Sequence, residues 1–227
     1  KISFSNHPFV ASTILKRSMQ VLTTFLISIW SLTFTSCIGT DDSIHDVNKP
    51  ALEFTSTRKK AKEALKFCTA KNYNTDFCIL IDMSLHSGIK RFLFWDFKND
   101  TIQYSFLVGH GCCDNRWSSD QSKSDPEFSN KDGSHCSSLG KYKLGERAYS
   151  DWGINVKYVM HGLESTNNNA LARTIVFHSW DQVSDNEIYP EGTPEGWGCP
   201  TISDNSFKLI DPLLKKSKQP VLMWIYK

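Results

Sequence analysis

The chain has 227 residues, 40% of them hydrophobic and 22% charged, which is enough for one globular domain with a proper core. Its formal net charge is +2 with acids and bases well mixed, so no basic tract points to nucleic acid and no acidic block to a solvating tail. With 14 Phe, 7 Trp and 7 Tyr the composition favours strands over long helices, and no internal repeat is visible.

Residues 1–15 read as upstream sequence and are assigned no fold. Lys16 and Arg17 then form a positive n-region ahead of an apolar run from Val21 to Phe34. That run is short for a bilayer span and fits a secretory signal, ending in small polar residues and Cys37. "FTSC" (Phe34–Cys37) resembles a bacterial lipoprotein signal, in which the cysteine becomes the lipidated first residue. An ordinary cleaved signal and a retained anchor helix are the alternatives, and all three export the domain. "GTDDSIHDVNKP" follows as a polar tether. The expected organisation is therefore residues 1–37 as export segment, 38–55 as tether and 56–227 as the folded domain.

Within that domain, Ala61, Ala64, Leu65 and Cys68 recur at helical spacing and predict a helix over Ser56–Asn72. Phe77–Met83 predicts a short buried strand. "KRFLFWDF" and "TIQYSFLV", separated by Lys98-Asn99-Asp100, predict a hairpin that runs on to Gly109-His110-Gly111. Cys112–Gly140 is a long polar loop, a length that in a compact domain goes with function or mobility. Ile154–Leu163 predicts a strand, Asn167–Arg173 a short helix, and Thr174–His178 an apolar strand ending in histidine. After a loop over Ser179–Gly198, Phe207, Ile210, Leu213 and Leu214 predict a helix with Asp204 as N-cap and a break or kink at Pro212. "PVLMWIY" (Pro220–Tyr226) closes the chain as a strand. The sum is a mostly β domain with a few short helices.

Chemistry concentrates at "GWGCPTIS" (Gly196–Ser203). A nucleophilic thiol needs room for substrate, and the turn at Gly198-Cys199 offers backbone N–H groups for an oxyanion. Gly198 lets a substrate approach closely, Pro200 stiffens the turn and Trp197 walls a pocket. His110 and His178 each follow an apolar strand, so neighbouring strands would bring both imidazoles to one end of a sheet. A histidine there would take the thiol proton and hold the thiolate as an ion pair.

"RTIVFHS" followed by "GWGCPTI", whose cysteine lies 21 residues after the histidine, resembles the L,D-transpeptidase catalytic domain (YkuD-like) family, in particular its murein L,D-transpeptidase subgroup. "VGHG", "FSN", "SSLGKY", "HGLE" and "NNNALAR" follow the subgroup's order from about Phe92 to the C-terminus. The resemblance implies a β-sandwich-like fold and cysteine acyl transfer on peptidoglycan stem peptides. It makes Cys199 the nucleophile, His178 the general base, Gly198 and Cys199 N–H groups the oxyanion hole, and His110, Arg173 and Trp197 candidate substrate-binding residues. Many members have Ser-His-Gly-Cys and an arginine two residues after the cysteine. Here Trp197 replaces that histidine and Ile/Thr replace the basic neighbourhood, with Arg173 the remaining candidate for the arginine's role.

The acceptor is an amine in a transpeptidase and water in an L,D-carboxypeptidase. A non-catalytic peptidoglycan-binding lipoprotein, or a thiol acyltransferase acting on another envelope amide, are the further readings. Expected partners are stem peptides and, through Cys37, a membrane at the periplasmic face; no cofactor, metal or nucleic acid is expected. Expected disulfides are Cys68–Cys78 and one of Cys112 or Cys113 with Cys136. The rival use of that region is zinc held by His110, Cys112, Cys113, His135 and Cys136, whose spacing lacks paired CxxC units.

Overall fold

A computed structural model describes residues 49–227. The export segment, Cys37 and residues 38–48 of the tether lie outside the described residues.

Helix α1 (Phe54–Lys71) buries Thr57, Ala61, Ala64 and Cys68 along one face and ends at Asn72, which takes the left-handed conformation with φ 56°. The strands are β1 (Phe77–Asp82), β2 (Phe92–Asp96), β3 (Thr101–Phe106), β4 (Gly140–Tyr149), β5 (Val156–Gly162), β6 (Val176–Ser179), β7 (Thr201–Ile202) and β8 (Val221–Tyr226), with helix α2 (Asp204–Lys216) before the last. They form one eight-stranded sheet in the order β3-β2-β1-β8-β4-β5-β6-β7. β1 with β8 and β6 with β7 are parallel; the other pairs are antiparallel. Beyond β3, Gly109 bridges back to Thr201 of β7, so the two ends of the sheet order meet beside the Cys199 loop.

The central strands read as continuous apolar runs because both of their faces are covered. Ile79, Ile81, Phe92, Phe94, Met223 and Ile225 point into the main core, where Phe177 of β6 meets Phe207 of α2 at 4.9 Å between ring centroids. The alternate residues Cys78, Leu80, Leu93, Trp95 and Leu222 point the other way, under Ala61, Ala64 and Cys68 of α1. Period-two alternation thus serves two cores from one sheet.

One long strand was not expected, and three expectations about helices need correction. Gly140–Tyr149 is a strand, hidden in the sequence because Lys141, Lys143, Glu146 and Arg147 occupy its more accessible positions while only Gly140, Tyr142 and Leu144 are buried. Asn167–Arg173 forms successive turns rather than a helix. Asn167 draws its neighbours into side-chain bonds instead, accepting from Glu164 N–H at 2.9 Å and donating to the Lys141 carbonyl at 2.9 Å. The N-cap of α2 is Ser203, whose hydroxyl accepts from Ser206 N–H, with Asp204 the first helical residue. α2 also runs through Pro212 without ending. Pro212 and Lys208, whose carbonyl would have received the missing N–H, are both exposed, while Phe207, Ile210 and Leu214 hold the opposite face in the core.

The disulfide is Cys113–Cys136. Cys68 and Cys78 are not bonded: both are free, buried thiols filling the layer between α1 and the sheet. Burial there pushes Cys68 up to about 12. Bonding of Cys113 to Cys136 removes two members of the conceivable zinc set, and among the described residues no three His, Cys, Asp or Glu side chains gather as a metal site.

Candidate active site

β6 places His178 in register with Thr201 of β7, two residues after Cys199. Short parallel pairing is therefore what joins the histidine strand to the cysteine loop. Together with Trp117, Trp152, Trp180, Gly196, Trp197 and Thr201, the two side chains line one cavity of about 90 Å³. A larger groove of about 680 Å³ lies at the C-terminal ends of α1 and α2, but no histidine lines it and its one thiol, Cys68, is buried. Chemistry, rather than size, selects the smaller cavity.

His178 is nearly buried, and its Nδ1 lies 2.9 Å from the Ser179 carbonyl. A carbonyl only accepts, so Nδ1 carries the proton and Nε2 is left as the basic nitrogen. Burial lowers the His178 pKa below its usual range, partly offset by that hydrogen bond. Partly buried Cys199 accepts from Val176 N–H at 3.4 Å through Sγ. Burial raises its thiol pKa, opposed by the Val176 N–H and by the charges of Arg173 and Lys157. Both directions favour a neutral thiol and a neutral imidazole over the expected ion pair.

Gly198 has φ 100°, and a Cβ added there would lie 2.6 Å from the Cys136 carbonyl oxygen. This position needs glycine both for its backbone and for its neighbour. Its carbonyl accepts from the Ser137 hydroxyl at 3.1 Å, while among the described residues the N–H groups of Gly198 and Cys199 donate to no protein acceptor. Those two donors are available to a developing oxyanion.

The cavity wall is mainly indole. Trp180 is buried and stacks on Trp117 at 5.3 Å, and Trp152 meets Trp180 edge-on at 6.1 Å. Trp152 lies 6.4 Å from the His178 ring, and Trp197, 61% exposed, stacks on His135. Trp117, Trp152 and Trp180 escape sequence reasoning because they come from separate segments with no shared motif, whereas Thr201 stands in the cysteine motif itself without a role having been read for it. The one available signal is the tryptophan count. Thr201 also leaves its buried hydroxyl oxygen without a partner, at the cavity wall.

Two expected substrate contacts sit elsewhere. His110 is fully buried and outside the cavity wall, with Nδ1 2.8 Å from Arg91 and Nε2 2.9 Å from the Ser122 hydroxyl. Arg173 clamps the long loop, donating to the Ser129 and Cys136 carbonyls at 2.9 and 2.7 Å and to the Ser138 hydroxyl at 2.7 Å. With its guanidinium so engaged it is a loop clamp, reaching Cys199 only through its charge.

A family model described as the L,D-transpeptidase catalytic domain matches residues 48–226. The chain belongs to that family. No curated protein matches it. Among solved structures, it is similar to the helical cell shape determining protein Pgp2 from Campylobacter jejuni, at 11% identity and a TM-score of 0.42, over 66% of this chain and 47% of that one. It is similar to Bdellovibrio bacteriovorus Bd1075 at 15% identity and a TM-score of 0.39, over 68% and 49% of the two chains. An L,D-transpeptidase from Xylanimonas cellulosilytica gives 8% identity and a TM-score of 0.35, over 71% and 68%. The chain spans about half the length of Pgp2 and Bd1075. Within this L,D-transpeptidase family domain, the matched segment starts at residue 48, shortly before α1.

Proposed function

We propose that this L,D-transpeptidase family domain is a cysteine acyltransferase acting on peptidoglycan stem peptides. The observation behind this reading is that Cys199 and His178 share one cavity wall while the His178 Nδ1 proton is tied to the Ser179 carbonyl. Sγ of Cys199 attacks the carbonyl carbon of the L,D amide in a donor stem as His178 Nε2 takes the thiol proton. The carbonyl oxygen becomes an oxyanion and receives the N–H groups of Gly198 and Cys199. Collapse breaks the C–N bond, and His178 returns its proton to the departing D-amino acid. The thioester on Cys199 is then attacked by the side-chain amine of a second stem, whose proton passes to His178 and on to the released sulfur.

Trp197 and its neighbouring indoles are the wall against which the stem packs. His110 and Arg173, placed as described, serve this reading as supports rather than as substrate contacts. Export and a lipid anchor on Cys37 would hold the domain at the periplasmic face of the envelope, within a tether's reach of its substrate.

The test is incubation with muropeptides and mass spectrometry of the products. Cross-linked dimers formed by wild type and lost in both Cys199→Ala and His178→Ala support the reading, with the histidine variant expected to lose about 10²–10⁴-fold in kcat. Release of the terminal residue without dimers assigns water as the acceptor. Turnover by Cys199→Ala would refute the site, and binding without any acyl-enzyme in wild type would make the domain a peptidoglycan-binding module.

A further inference from the structure

Glu195 immediately precedes the Cys199 loop and is fully buried, yet the mechanism above does not use it. One carboxylate oxygen accepts from the Ser122 N–H at 2.6 Å and the Ser122 hydroxyl at 2.8 Å. The other faces the Ser119 hydroxyl at 3.3 Å and the Asn115 amide at 3.5 Å. The Glu195 backbone is engaged on the same segment, donating to the Ser119 carbonyl and accepting from Ser118 N–H, both at 2.8 Å. On its next residue, Gly196 donates to the His110 carbonyl and accepts from Cys112 N–H, both at 2.7 Å.

A buried charge also needs a counter-charge. Arg91, fully buried, donates to the Leu85 and Val108 carbonyls and lies 2.8 Å from His110 Nδ1. An arginine only donates, so Nδ1 accepts and the neutral His110 ring carries its proton on Nε2. That nitrogen is 2.9 Å from the Ser122 hydroxyl and 3.7 Å from the Glu195 carboxylate. Arg91, His110, Ser122 and Glu195 form one directed chain with every hydrogen bond pointing towards the carboxylate. Such a chain is expensive to bury and is of little use for stability alone. What it holds is the short Asn115–Ser122 segment, which passes through Ser118 at a left-handed φ of 61° and presents Trp117 to Trp180.

We propose that Glu195 is a positioning residue: its carboxylate fixes the Asn115–Ser122 segment so that Trp117 closes the wall of the Cys199 cavity. The catalytic consequence rests on the function proposed above; the structural one does not.

The experiment compares Glu195→Gln, Trp117→Ala and the double variant. Glutamine keeps the shape but turns an NH₂ towards the Ser119 and Asn115 donors. Trp117→Ala is expected to raise KM for a muropeptide about tenfold, far more than it lowers kcat, and Glu195→Gln to do the same. In the double variant the effects should not add, since both remove one contact. Independently of turnover, the far-ultraviolet circular dichroism should contain a Trp117-dependent exciton contribution, read as the difference between wild type and Trp117→Ala with the Trp152–Trp180 pair common to both, and Glu195→Gln should lose that contribution. Ser122→Ala, which removes one of the two Ser122 bonds to the carboxylate, should weaken that contribution partially and serves if Glu195→Gln fails to fold. Additive KM effects, or that contribution intact in the folded Glu195→Gln or Ser122→Ala protein, would overturn the proposal. If wild type turns over no muropeptide, the functional reading fails and the dichroism still decides the positioning role.

Discussion

The chemistry of the site turns on one proton. Burial raises the Cys199 thiol and lowers the His178 imidazole, so in the proposed mechanism the sulfur gives up its proton as it attacks. The expected consequence is that alkylation of Cys199 by iodoacetamide, taken as the difference between wild type and Cys199→Ala, keeps rising as pH passes 9.0, the ordinary thiol value. A rate that levels off near neutrality would mean a standing ion pair. Gly198 is the second residue whose identity the geometry dictates. Gly198→Ala would force a side chain into a left-handed turn against the Cys136 carbonyl, at a cost of about 1–3 kcal/mol. Denaturant unfolding measures that cost, and slower acyl-enzyme formation should accompany it because the two N–H groups move with the turn.

Elements were legible where apolar periodicity was strong. α1, β1, the β2–β3 hairpin, β5, β6 and β8 all follow from their own residues, with ends shifted by a residue or a few. β4 and β7 do not. The accessible face of β4 is lined with charge, and β7 has only Thr201 and Ile202, too few for any pattern to emerge. The start of α2 was displaced by one position because serine and aspartate are both good N-caps, and only the backbone geometry distinguishes Ser203 from Asp204. Ser203→Ala is expected to destabilise the domain by about 1 kcal/mol through loss of the cap, read as a lower denaturation midpoint with an unchanged slope. Since α2 packs Phe207 on Phe177, one residue before His178, the same variant is expected to depress turnover less than it depresses stability.

At the scale of the molecule, the sheet brings its two ends together beside the Cys199 loop, and the Cys113–Cys136 disulfide closes the long loop that backs it. Cys136 supplies the carbonyl against Gly198, and the preceding His135 stacks on Trp197, so the bridge bears on the site as well as on the loop. With its ends 23 positions apart in the sequence, the cross-link restricts the unfolded chain by about 3 kcal/mol. Cys113→Ser is expected to lower the thermal midpoint and to weaken muropeptide binding. A midpoint matching wild type would show that packing alone holds the loop.

By itself the sequence determined the mostly β character of the domain and its helical start, and it marked a strand-ending histidine and the cysteine after Gly198 as the candidate chemistry. These are local matters, set by side-chain periodicity and by what a turn permits. Which histidine faces the cavity with Cys199, which of Cys112 and Cys113 bridges to Cys136, and which indoles join Trp197 in the wall were decided only in three dimensions. His110 and His178 look alike along the chain, and what separates them is that Arg91 and Glu195 close around one while the cavity opens on the other. Burial and distance depend on pairings across many tens of residues, and local pattern holds no information about them.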